Sequence, residues 1–214
     1  MSDLTLYEQA IAFLNEKRFS EAFPLFKQCI GIDGISQPDV FFNCGWCLEN
    51  IGNSRKQALD YYLSSYSSAQ RDELKFHAGF RYSWILIEEK EYSKAQSFLS
   101  KILAETKLCL AESLILRHAV YWFAFCLELE CRFLDAIDYY RKVETFNGEG
   151  LALEAQFRKI ICLNQVGNLE AALQSIDEFL NSPALSGDDK LRQSELIRLV
   201  VDEKSQIERA LTEA

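Results

Sequence analysis

The chain has 214 residues, 49% of them hydrophobic, with 23 basic against 32 acidic side chains and a net charge of −9. That length and apolar content suffice for one domain with a sizeable core, while the negative balance argues against polyphosphate partners and sets nucleic acid aside as a ligand class. No apolar run reaches the roughly 18 to 20 residues of a membrane span. The first ten residues carry no basic stretch ahead of an apolar core, so a cytoplasmic chain without membrane insertion is expected, its seven cysteines reduced.

Apolar periodicity and turn residues predict an all-α chain. Residues 3–17 read as a first helix with Leu6, Ala10, Phe13 and Leu14 on its buried side, and Ser20 is placed to cap a second over 21–31. Gly31, Gly34 and Pro38 break the chain. Helices over 39–51 and 55–69 follow, turned at Gly52-Asn53. A third pair covers 72–90 and 94–106, with Ser93 in the capping place of Ser20. A longer helix is expected from Leu108 to Cys131, then one from Asp135 to Phe146, with Gly148 and Gly150 marking a break. The fifth pair, 151–166 and 169–181, turns at Gly167-Asn168. After the loop 182–189, residues 190–212 carry an apolar stripe of Leu196, Leu199, Val200, Ile207 and Leu211, with the stem of Lys204 across its gap.

The pairs share a grammar. A small anchor residue is followed by a core filler, a turn, a ring or leucine, an alanine, and another large residue: Ala10/Phe13/Phe19/Ala22/Phe26, Ser83/Leu86/Tyr92/Ala95/Leu99 and Ala124/Leu127/Phe133/Ala136/Tyr140 are clear copies. Gly45/Leu48/Ala58/Tyr62 and Ile160/Leu163/Leu169/Ala172/Ile176 complete the set. Small residues on two antiparallel helices let the backbones approach while the large ones fill the seam. The second alanines are spaced by 36, 37, 41 and 36 residues, so the chain is an internal repeat.

This order resembles the tetratricopeptide repeat, although the period exceeds the family's usual value of about 34 and most copies lack its closing proline. The resemblance implies a right-handed α-α superhelix in a single domain, 1–214, with repeats at approximately 4–34, 38–70, 72–107, 112–147 and 151–182. A capping helix over 188–213 would cover the last apolar face.

Four places of each first helix, counted from the anchor as six before, three before, two before and one after, fall within a stripe of about 100° facing away from the paired helix. In proteins similar to this family that stripe lines a concave groove. Here it carries Tyr7, Phe42, Phe80, Tyr121 and Phe157 three before the anchors, Trp46, Trp84 and Phe125 one after, and Trp122 two before. The core already has its own fillers, so a second aromatic stripe points to a groove for a partner's peptide or helix. The alternative is that these rings pack between neighbouring repeats.

Polar residues interrupt the stripe: Asn43, Arg81 and Arg158 two before the anchors, His77 and His118 six before. Asn43 and Arg81 match two of the five places by which carboxylate-clamp repeat proteins hold a chaperone C-terminus, whereas His77, Tyr7 and Ile11 depart from the other three. A looser contact of Arg81 and Arg158 with a carboxylate is the residual expectation.

No glycine-rich phosphate loop, serine nucleophile motif or paired carboxylates stand out, and Cys44 and Cys47 lack partner ligands for zinc. No catalytic residue, metal or cofactor is predicted. Cys44, Cys47, Cys126 and Cys162 read as buried thiols. The expected function is a non-enzymatic scaffold or adaptor binding a protein or peptide. The alternatives are a dedicated client chaperone and a self-associating repeat whose aromatic stripe is a homodimer interface.

Overall fold

The computed structural model describes residues 3–52, 55–107, 113–145, 150–182, 185 and 190–213. All regular structure among them is helical. The chain divides into two compact units, 1–108 and 109–214.

In the first unit, α1 (Asp3–Asn15), α2 (Phe19–Gln28), α3 (Gln37–Ile51), α4 (Arg55–Ser68), α5 (Asp72–Glu88) and α6 (Tyr92–Glu105) each pack against the next. In the second, α7 (Leu114–Leu129), α8 (Phe133–Glu144), α9 (Gly150–Gln165) and α10 (Leu169–Leu180) do the same, and α11 (Lys190–Glu213) lies against α9 and α10.

The repeat grammar is the core. Ala22, Ala58, Ala95, Ala136 and Ala172 are all 0% exposed, as are the large residues one turn later, Phe26, Tyr62, Leu99, Tyr140 and Ile176. Close approach explains the small residues. A methyl group added at Gly45 would stand 3.0 Å from the ring of Tyr62, and one at Gly79 would stand 2.7 Å from Ile102.

The turns inside four of the pairs are built alike. Lys17, Lys90, Cys131 and Gly167 adopt left-handed φ values of 59°, 62°, 59° and 74°. In each the next residue donates its N–H back to a core filler: Arg18 to Phe13 (2.8 Å), Glu91 to Leu86 (2.8 Å), Arg132 to Leu127 (2.9 Å) and Asn168 to Leu163 (3.0 Å). This six-to-one bond closes the helix end, and the donating residue is the N-cap of the following helix.

Three sequence expectations are corrected. Ser20 and Ser93 are not caps, because the turn geometry makes Arg18 and Glu91 the capping residues and starts the helices at Phe19 and Tyr92. The extra residues of the 41-residue spacing do not lengthen α7, which has 16 residues against 17 in α5, but fall between Glu105 and Leu114; of these, 108–112 lie outside the described residues. Pro38 does not break the chain but sits in the opening turn of α3, where a missing N–H costs nothing.

On α11, Leu196, Val200 and Ile207 are buried, whereas Leu211 is 49% exposed, so the apolar stripe ends one turn earlier than its composition suggests. Lys204 binds Asp177 of α10 at 2.8 Å, and Asn164 of α9 donates to Glu203 at 2.6 Å.

Candidate functional site

The stripe residues divide into three layers. Three of the rings three before the anchors turn toward their own paired helix: Tyr7 meets Phe26 at 5.8 Å, Phe42 meets Tyr62 at 5.5 Å, and Tyr121 meets Tyr140 at 5.7 Å between ring centres. Phe80 and Tyr121 are buried, and burial pushes the Tyr121 hydroxyl up to about 12. Trp46, Trp84, Trp122, Phe125 and Phe157 are half-buried and form the more accessible layer. Trp122 touches both Tyr121 (5.2 Å) and Phe125 (5.4 Å) edge to face. His77 is also half-buried, its imidazole held below the usual value by burial, and His118 is half-buried in the second unit.

The arginines form the third layer, and each is bound internally. Arg81 of α5 donates to both carboxylate oxygens of Glu49 on α3, its Nε at 3.1 Å, and lies over the Trp46 ring. Glu49 also accepts from the Tyr62 hydroxyl at 2.8 Å. The second unit repeats the arrangement on α9, α7 and α8: Arg158 donates to Glu128 at 3.0 Å and lies over Phe125, and Tyr140 donates to Glu128 at 2.7 Å. These guanidinium groups already hold carboxylates of their own chain, as the anion contact expected of them would require of a partner.

Glu49 and Glu128 are the residues that sequence reasoning missed. Both stand four after the anchor, and only in these two repeats is the large residue of the second helix a tyrosine and the next repeat's place two before its anchor an arginine. A buried phenol needs an acceptor and a buried guanidinium needs a carboxylate, so the three residue types occur together.

In the second unit, stripe residues of two successive first helices open onto a cavity of about 310 Å3. Tyr121 of α7 and Glu154, Phe157 and Arg158 of α9 line it, and Glu195, Leu196 and Leu199 of α11 form the remaining wall. Glu154 accepts from the Tyr121 hydroxyl at 3.3 Å. The C-terminal helix therefore both covers the last repeat and shapes this opening.

Chemical groups elsewhere are quiet. Cys44, Cys47, Cys126 and Cys162 are buried, which pushes each thiol up to about 12, while Cys131 is exposed at its turn. Among the described residues no group of three or more His, Cys, Asp or Glu is arranged to hold a metal ion, and no helix is long and apolar enough to cross a membrane.

Solved structures with this architecture define its class. The chain is similar to YrrB, described as a TPR protein with an unusual peptide-binding site, at 14% identity over 92% of each chain and a TM-score of 0.69. It is also similar to MamA AMB-1, at 16% identity over 88% of this chain and 95% of that one, with a TM-score of 0.67. MamA MSR-1 aligns over 95% of this chain and 98% of its own at 17% identity and a TM-score of 0.62. The fold is that of the tetratricopeptide repeat, an all-α stack of helix pairs. No protein-family model matches the sequence, and no curated protein does.

Proposed function

We propose that the chain is a non-enzymatic cytoplasmic interaction scaffold that holds a peptide or helix of a partner protein against its aromatic first-helix stripe. The observation that carries this reading is the cavity of the second unit, because its lining from α7 and α9 consists of stripe places in two successive repeats. The half-buried Trp46 and Trp84 supply the corresponding apolar surface in the first unit. Rings of this kind are the residues that dominate binding energy when a partner covers them. The peptide-binding site attributed to YrrB supports the same use of the fold.

Paired variants test it. Trp84→Ala and Phe157→Ala are each expected to weaken partner retention about tenfold or more while leaving helicity intact. Leu86→Ala, at a residue 4% exposed, should instead cost about 2–5 kcal/mol of stability. Leu134→Ala, at a residue 69% exposed on α8, should change neither. A scaffold using this stripe is ruled out if Trp84→Ala and Phe157→Ala retain the partner as well as Leu134→Ala does.

A further inference from the structure

We propose that the cavity of the second unit receives the side chain of a lysine or arginine from a partner protein segment; this rests on the groove reading and adds the chemistry of the occupant. At about 310 Å3 the cavity lies at the low end of ligand pockets, roughly 300–1,000 Å3, which suits one or two side chains. Tyr121, Phe157, Leu196 and Leu199 give it apolar walls, and Glu154 and Glu195 give it carboxylates. An occupant has to satisfy both kinds of wall. A long aliphatic stem ending in a cation does so, burying its methylenes while its head meets acidic groups. Aromatic faces add attraction for the same charge.

Arg158 also lines the cavity, but its charge is matched by Glu128 at 3.0 Å, and its guanidinium lies 4.9 Å from the Phe125 ring centre. Among the described residues that line the cavity, the carboxylates of Glu154 and Glu195 outnumber the one cation. An acidic side chain entering here would face that excess. The chain's net charge of −9 gives the long-range field the same sign, steering basic segments toward it.

The test is an NMR titration of the full chain with N-acetyl-lysine methylamide and with the norleucine counterpart, which keeps a similar stem without the ammonium. The backbone amides of Glu154, Phe157 and Leu199 report binding. The lysine probe should bind about fivefold more tightly than the norleucine probe, the scale of a partly exposed ion pair. That advantage should vanish in the Glu154→Gln/Glu195→Gln double variant, in which the side-chain amide introduced at position 154 still offers Tyr121 an acceptor. Equal affinity for the two probes, or a lysine preference that survives the double variant, overturns the cationic occupant. No shift at these amides with either probe overturns it as well. The groove itself is judged separately by the partner retention of Trp84→Ala and Phe157→Ala, which neither probe measures.

Discussion

The guanidinium carbon of Arg81 lies 4.9 Å from the ring centre of Trp46, reaching from α5 to α3 across two consecutive repeats. The same side chain binds Glu49, one turn along from Trp46, so a single residue joins a groove ring to a buried carboxylate. Glu49 is 9% exposed. Removing its cation leaves a charge without solvent, so Arg81→Met is expected to destabilise the protein by about 2–4 kcal/mol. Adding Glu49→Gln should recover at least half of the loss, because the amide still accepts from Tyr62. Urea melts of the three proteins check this. A single Arg81→Met variant as stable as the parent would show that the pair does not hold the two repeats together.

Non-glycine residues occupy three of the four matching left-handed turns. A left-handed backbone costs an L-residue roughly 1–2 kcal/mol, part of which glycine returns as unfolded-state entropy. Lys90→Gly and Cys131→Gly should therefore each raise stability by about 0.5–1 kcal/mol, and Gly167→Ala should lower it by a similar amount. Denaturation midpoints decide. A loss of stability in both glycine variants would mean that the side chains of Lys90 and Cys131 contribute more than the backbone strain removes.

Gly79 is a place where helix propensity and packing oppose each other. Alanine in mid-helix is favoured over glycine by about 1 kcal/mol. Its methyl group would, however, stand 2.7 Å from Ile102 and 3.2 Å from Tyr66, which forces α5 and α6 apart. Net destabilisation of about 1–3 kcal/mol is expected for Gly79→Ala. In a cycle with Ile102→Ala the two losses should be less than additive, since the second change removes the clash. Additive losses would place the cost of Gly79→Ala elsewhere.

Glu105 and Glu144 are displaced in opposite directions. The Tyr66 hydroxyl at 2.6 Å, followed by Lys75, holds the Glu105 carboxyl below its ordinary value. Burial raises that of Glu144 despite the Lys159 ammonium at 2.8 Å. The stability linked to Glu105 is present above the ordinary carboxyl value and is lost as pH falls through its depressed one. That linked to Glu144 is present below the ordinary value and is lost as pH rises through its raised one. Carboxyl NMR titration should find Glu105 deprotonating before Glu144 as pH rises, and Tyr66→Phe should move Glu105 upward. The reverse order would contradict at least one of the two assignments.

The repeat is legible in the sequence because its grammar is steric. A seam between two close helices accepts only small residues where the backbones meet, so the spacing of Ala22, Ala58, Ala95, Ala136 and Ala172 by itself marks the pairs and the core. Helix ends are legible to within a few residues and misread in mechanism at Ser20 and Ser93, since a cap is set by backbone geometry upstream and a serine in the right region does not establish one. The stripe itself is legible as a helical periodicity. Tertiary structure alone decides how its members differ: Phe80 and Tyr121 sink into the core, while Phe157, at the same place three before its anchor, stays half-buried. It also decides that Arg81 and Arg158 are held from within the chain. Their carboxylates lie 32 and 30 residues away, a distance that helical periodicity does not reach and that only the stacking of one repeat on the next brings to hydrogen-bonding range.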